Sequence, residues 1–410
     1  MKSVSIVGAG LAGCEAALQL ATHGFKVKLY DSKPEKKLET YQLSSYAELV
    51  CNNSIGNLNT HTPLGLLLNE LQSLGSRLIK IAEKYRINDP VFFAVDKIAF
   101  SQAVTKELQS CEVMLINKYL SEVPKDDYVI IATGPLTDEH LIESLSSEYF
   151  IEGCHFFDAS SPVVDIRSVN LSNKNIKKIT NDLYAISIPM HIFRIFSDEL
   201  VRHSTEVITH SVDNALNFDK CQSIEHIARA GMDELYAKRF KYTYFDTPCL
   251  LLRRENAVRE GFLLVGCMTT LRHSAQLAVF SLIPGLEKCK IIKYGRMHRN
   301  TFLNVPQILN EFFQIKGANT YIIGQLSGID GYAPAIASGW VSAMRIIHGD
   351  SMPQLPRSTM IGGLSHYISN IEVTDFQPMC ASFALLEYAD DFLLSSKLGI
   401  ESVNNSLLNV

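Results

Sequence analysis

Gly8, Gly10 and Gly13 stand in the run Ser3-Val-Ser-Ile-Val-Gly-Ala-Gly-Leu-Ala-Gly13. An apolar, β-branched stretch leads into them. A helical apolar pattern from Ala12 to His23 leads out, and a second short strand, Lys26 to Tyr30, ends at Asp31. Each glycine then has a separate task. The first permits a tight turn, the second lets the backbone approach a pyrophosphate, and the third lets helix lie close on strand. The helix N-terminus faces the phosphates with its unpaired N–H groups. Asp31 falls where a carboxylate can accept hydrogen bonds from a ribose. Strand, glycines, helix, strand and terminal acid together point to an adenine dinucleotide.

Two further strands with glycine exits belong beside this unit. Tyr128-Val-Ile-Ile-Ala-Thr-Gly134 is a buried strand that leaves through Thr133 and Gly134. Thr320-Tyr-Ile-Ile-Gly-Gln-Leu-Ser-Gly328 repeats the arrangement, with Gly324, Gln325 and Gly328 in its exit. Gly331 and Tyr332 follow, and Ala333 to His348 has a helical pattern. A strand exit that precedes a helix N-terminus offers amides to a flavin ring or its phosphates. Single helices are also expected over Leu64 to Ile81 and Phe100 to Leu108. The polar tail after Ser395 is expected to fray.

The chain has 410 residues, 47% hydrophobic and 20% charged, enough for two or three domains of a soluble globular protein. No apolar run is long enough to span a bilayer as a helix. The start leads straight into a core strand, which leaves no room for an export signal. Nine cysteines are scattered singly, without CxxC pairs or zinc spacing. That usage suits a reduced, cytoplasmic protein with no metal site. Net charge is −5 but uneven: Ile166 to Val305 carries 20 Lys+Arg against 13 Asp+Glu, the remainder 18 against 30. A basic middle between acidic flanks suits a polyanion such as RNA or DNA. The expected fold is α/β, a Rossmann-like dinucleotide-binding domain in two pieces, 1–165 and 306–410. A basic α+β insertion domain at 166–305 interrupts it and faces the substrate.

Further motifs run along the chain. They include Ala47-Glu-Leu-Val-Cys-Asn-Asn-Ser54, Ala94-Val-Asp96 with Phe100-Ser-Gln102, Ile131-Ala-Thr-Gly-Pro-Leu136 and Phe157-Asp158-Ala159. Tyr294-Gly-Arg-Met-His-Arg-Asn-Thr-Phe302, Gly324-Gln-Leu-Ser-Gly-Ile-Asp-Gly-Tyr332 and Phe376-Gln-Pro-Met379 continue the series. Collinear over nearly the whole length, they resemble the folate- and flavin-dependent RNA uracil-5-methyltransferases of the TrmFO type. The resemblance implies a GidA-related flavoprotein fold with FAD as cofactor. It implies 5,10-methylenetetrahydrofolate as methylene donor and NADH or NADPH as reductant. The implied substrate is a specific uridine, in the T-loop of tRNA or in large-subunit rRNA. In such chemistry a thiolate adds to uracil C6 and makes C5 nucleophilic. C5 takes a one-carbon unit relayed and reduced by the flavin, and a base removes the C5 proton.

The resemblance also assigns residues. Cys51 and Cys221 match the catalytic pair, with Cys221 as the nucleophile and Cys51 as the base, or the converse. Cys221 precedes a helical pattern through Ala230 and follows Lys220, a setting that favours thiolate. The other seven cysteines are read as packing. Asn53, Arg296, His298 and Arg299 are expected near folate, flavin or RNA. Lys238, Arg239 and Lys241, and also Arg253-Arg254, are candidate phosphate contacts. Tyr242 and Tyr244 are expected to pack on one strand face. Departures from the family pattern occur at Ser54-Ile-Gly56, at Ser223, at Tyr236 to Tyr242 and at Cys380 to Phe383. They leave two alternatives open, another FAD-dependent oxidoreductase or a flavin- and RNA-binding paralogue without methylation.

Overall fold

The computed structural model describes residues 2–33, 42–204, 216–217, 222–256 and 260–408; for 156–158, 216–217 and 297–299 it describes the backbone. A five-stranded parallel sheet runs in the order Thr320–Ile322, Tyr128–Ile131, Ser3–Val7, Lys26–Asp31, Met114–Asn117. Val4, Ile6 and Val7 of its central strand are buried, as a parallel sheet covered on both faces requires, and the buried Ser5 hydroxyl is bonded to Asp126 at 2.8 Å. The helices Leu11–Thr22 and Tyr332–His348 pack together beside it, so the exits after Val7, Ile131 and Ile322 open at one edge of the sheet.

A second, antiparallel sheet has six strands in the order Ile291–Lys293, Val163–Asp165, Gly261–Leu264, Cys249–Arg254, Leu183–Ser187, Ile176–Lys178. Cys249-Leu-Leu-Leu252 is apolar at every position because both faces are covered. Leu250 and Leu252 face the helices Met190–His203, Ile224–Ala230 and His273–Phe280. There Phe240 sets its edge on Phe193 and Phe196, with ring centroids 5.2 and 5.6 Å away. Cys249 and Leu251 face Phe92, Tyr242 and Tyr244 on the other side. The two tyrosines do pack, on a loop rather than a strand. The strands Gly153–Ala159 and Met297–Leu303 pair antiparallel, so the chain enters and leaves this region at one place.

Two expectations are corrected. Leu64 to Ile81 is two helices, Pro63–Ser73 and Arg77–Lys84, because Gly75 takes φ +75° and Ser76 caps the second with its hydroxyl. The tail does not fray. Phe392–Leu408 is a helix that buries Ser396, Gly399, Ile400 and Val403. A run with so little amphipathic pattern is held by tertiary contact rather than by propensity.

Buried glutamates anchor helix ends in this structure. Glu15 accepts from Arg77 N–H at 3.0 Å and Leu78 N–H at 2.8 Å. Glu70 accepts from Met360 N–H at 2.7 Å, Ile361 N–H at 2.9 Å and the Ser396 hydroxyl at 2.6 Å. Each satisfies orphan donors of a helix N-terminus from a different helix. Burial nevertheless pushes the Glu70 carboxyl up to about 7, against the opposing pull of its three donors. The folded state therefore holds a proton that the unfolded chain releases near pH 4.5. That contribution to stability is full at acid pH and is lost as pH rises through about 7. In urea unfolding between about pH 5 and 8, the wild type's advantage over Glu70→Gln shrinks as pH rises. An advantage independent of pH refutes the assignment.

Candidate active site

The glycine cradle forms as a consequence of close backbone approach. Gly8 has φ +105°, and a Cβ there would lie 2.4 Å from the Ala132 carbonyl oxygen. A Cβ on Gly13 would lie 2.0 Å from the Gly8 carbonyl oxygen. Both positions exclude any side chain. Gly10 instead faces open space, with nothing within 4 Å of its Cβ position. Neither Leu11–Thr22 nor Tyr332–His348 has a side-chain cap at its N-terminus. Thr133 abuts Gly8, and Gly324 abuts Ala12. Gly134 follows at φ +73°, and the Thr133 and Thr137 hydroxyls bond at 2.7 Å. Asp31 accepts from Ala9 N–H and Lys33 N–H, both at 2.9 Å. Each carboxylate oxygen keeps a second lone pair, which a ribose hydroxyl can use. These residues fit an adenine dinucleotide such as FAD. Its phosphates would meet the uncapped helix N-termini.

The Cys51 turn lies against the second of these helices. The Tyr332 hydroxyl accepts from Cys51 N–H at 2.8 Å and Asn52 N–H at 3.4 Å. Gln325 bonds Asp330 at 2.9 Å, and the Gly328 carbonyl accepts from Met379 N–H at 2.8 Å, which together shape the approach to Gly331 and Tyr332. Cys51 itself is half-buried. It contrasts with Cys14, Cys249, Cys267 and Cys289, which are buried. Burial pushes all four of those thiols up, Cys249 to about 12 and Cys289 to about 11. Such thiols are inert packing groups.

The family model for glucose inhibited division protein A matches residues 3–349. A methylenetetrahydrofolate–tRNA-(uracil-5-)-methyltransferase TrmFO of Acetivibrio thermocellus is 36% identical over 403 residues, covering 94% of this chain and 92% of that protein. The protein of the same name from Fusobacterium nucleatum is 35% identical over 434 residues, covering 100% of both. The chain belongs to the GidA/TrmFO family. The solved structure of Aquifex aeolicus GidA superposes with a TM-score of 0.70 at 16% identity, over 99% of this chain and 74% of that one. That likeness concerns the fold, an α/β Rossmann-like unit with further domains.

Seen against the GidA/TrmFO fold, the remaining candidates separate. Cys221 lies outside the described residues, as do the side chains of His298 and Arg299. Gln222 follows Cys221, and Ser223 caps the helix Ile224–Ala230 with its hydroxyl. Arg296 is exposed, and its backbone exchanges hydrogen bonds with Ser160. Lys238 and Lys241 are exposed, Lys238 within 3.2 Å of Glu234. Arg239 is turned partly inward, donating to the Gln222 carbonyl at 3.3 Å. Among the described residues no His/Cys/Asp/Glu group is arranged for a metal. No described helix is long and apolar enough to cross a membrane.

Asn53, Arg253 and Arg254 require correction. Asn53 has no exposed surface. Its amide nitrogen donates to the carbonyls of Val95 at 3.0 Å and Arg254 at 2.8 Å, and its oxygen accepts from Arg253 Nε at 3.0 Å. Arg253 is buried, with Asp89 at 3.5 Å and the Phe92 ring beneath it. Arg254 reaches Asp182 at 3.0 Å. Asn53 and Arg253 are buried in internal contacts, and part of the basic excess is therefore spent internally. Composition counts charges but does not reveal their burial. Sequence reasoning also passed over Lys293, beside Tyr294, and Lys97, beside Asp96, although both adjoin quoted motifs. Asn53→Ala should lower unfolding free energy by about 2–4 kcal/mol, because it orphans buried partners. A contact made only to RNA would leave stability within about 0.5 kcal/mol, so urea denaturation distinguishes the two.

Proposed function

We propose that this protein is an FAD enzyme of the cytoplasm that methylates C5 of a specific uridine in tRNA. Methylenetetrahydrofolate supplies the one-carbon unit, and NADH or NADPH supplies electrons. The observation that carries the reading is the placement of a half-buried thiol, Cys51, in a turn held against the helix Tyr332–His348, whose N-terminus also flanks the glycine cradle. Relatives 33–36% identical over more than nine-tenths of the chain support it, each named a tRNA uracil-5-methyltransferase.

FAD, when bound, supplies the reduction of the one-carbon unit to methyl. The chain's own residues do the rest. Gly8, Gly10 and Gly13, with the N-terminus of Leu11–Thr22, bind the phosphates, and Asp31 orients the ribose. Thr133, Gly134, Gly324, Gln325, Gly328 and Gly331 line the strand exits around the remaining part of the cofactor. Cys221 adds to uracil C6, forming the C–S bond that pushes electrons toward C5. C5 then forms its bond to the one-carbon unit as that unit's bond to its nitrogen carrier breaks. Cys51 takes the C5 proton, the electrons of that C–H bond return to the ring, and the C6–S bond breaks to release Cys221. Tyr332 holds the Cys51 amide in place for this transfer. Arg296, His298, Arg299, Lys238, Arg239 and Lys241 hold RNA phosphate or the folate glutamate. Residues 1–165 and 306–410 form the cofactor domain, and 166–305 the substrate-facing insertion. The pairing of Gly153–Ala159 with Met297–Leu303 supports that division.

Two measurements test the proposal. Cells lacking the gene should lose 5-methyluridine from purified tRNA, with large-subunit rRNA analysed separately. Loss from rRNA alone moves the substrate to the ribosome, and loss from neither overturns the methylation reading. The purified protein should also form a covalent adduct with 5-fluorouridine RNA that disappears in Cys221→Ala. An adduct that persists in Cys221→Ala and disappears in Cys51→Ala exchanges the two cysteine roles.

A further inference from the structure

Five charged side chains gather behind the Cys51 turn. Lys33 pairs with Glu48 at 2.9 Å, both side chains almost fully buried. Lys97, on the helix Lys97–Ser110, pairs with Glu255 at the end of the strand Cys249–Arg254, and this pair is equally buried. Lys293 is the fifth. It ends the strand Ile291–Lys293, is half-buried, and donates from Nζ to the Val50 carbonyl at 2.9 Å. Among the described residues it has no carboxylate of its own. The two pairs cancel, which leaves one positive charge held one residue from the Cys51 thiol.

An uncompensated charge in a desolvated position is costly. Burial and the neighbouring Lys97 accordingly pull the Lys293 ammonium down, while Glu255, Cys51 and Glu48 draw it back up. On the opposite side of the turn stands the Tyr332 hydroxyl, bonded to Cys51 N–H. Asn52 Nδ2 approaches the Cys51 sulfur at 3.9 Å, and the Lys293 ammonium holds the preceding carbonyl. A thiolate at Cys51 would complete the charge balance.

The geometry points to Lys293 as a positioning residue for Cys51, fixing the turn through Val50 and supplying the counter-charge that keeps the sulfur a thiolate. This rests on the reading of Cys51 as a catalytic cysteine, since only a thiolate accepts a proton. Lys293 remains an ammonium throughout and does not touch the reacting atoms.

The test is alkylation of the full-length, FAD-loaded protein by iodoacetamide over roughly pH 5.5 to 9.5, with the Cys51 peptide quantified by mass spectrometry. Lys293→Met should move the half-maximal pH upward by about one unit, a tenfold slower reaction on the acid limb. Lys293→Arg keeps the charge and should keep the wild-type profile. Glu255→Gln strips Lys97 of its counter-ion and should move the midpoint downward. Coincident profiles for wild type and Lys293→Met overturn the inference, as does an arginine variant shifted as far as the methionine one. Should Lys293→Met fail to retain flavin, the Glu255→Gln profile decides, and absence of a downward shift overturns it. The readout is independent of methylation. A Cys51→Ala enzyme with full methylation would remove Cys51 from catalysis and leave the coupling to Lys293 to be judged by alkylation alone.

Discussion

A single buried amide, Asn53, ties the short pairing of Ser54–Asn57 with Phe92–Ala94 to the six-stranded sheet, at the place where the protein's chemistry is proposed. Its oxygen holds Arg253, and its nitrogen holds the backbone at Val95 and Arg254. Arg253 in turn lies between the Phe92 ring and Asp89. Losing Asn53 from this network would leave the Arg253 Nε and the Val95 and Arg254 carbonyls without their partner, and a buried polar group without a partner costs more than its hydrogen bond returns. The network therefore fixes the pairing of Ser54–Asn57 with Phe92–Ala94 against the six-stranded sheet. Cys51 is two residues from Asn53, so its turn inherits that arrangement. Tyr332 grips the turn from the parallel-sheet side, Lys293 from the antiparallel side. A thiol fixed from three elements is preorganised, which removes an ordering cost from each turnover.

What was legible in the sequence was local. The cradle could be read because strand, glycines, helix and Asp31 lie within 31 residues, and each glycine answers a constraint imposed by its neighbours. The two additional strand exits were legible for the same reason. The unread part depended on residues far apart in the chain. The helix Phe392–Leu408 shows no strong pattern of its own, and its Ser396 bonds Glu70, 326 residues earlier. Arg253-Arg254 looked like a phosphate contact because charge is visible in sequence and burial is not. Asn53 and Arg253 are 200 residues apart, and nothing in either's surroundings announces the other. The break at Gly75 is a different failure. The signal was present, a glycine followed by a capping serine, but the apolar periodicity on both sides concealed it.

The departures from the family pattern have a physical reading in this fold. At Ser223 the hydroxyl caps the helix Ile224–Ala230. Tyr236–Phe240 is one wide helical turn, and Phe240 is driven into the Phe193/Phe196 cluster. Aromatic packing of this kind holds a segment in one conformation before any partner arrives. Lys238 and Lys241 then project from a fixed support, with Arg239 turned toward Gln222. On the proposed reading, an RNA that meets this surface pays less to order it than one that meets a loop, and finds its phosphate contacts already spaced. Rigid spacing also narrows the set of RNA shapes that fit, since backbone contacts read shape rather than sequence. On that reading these residues bear on which RNA is accepted more than on whether flavin binds. The glycine cradle belongs to the other sheet, and its geometry depends on backbone contacts that none of these side chains makes.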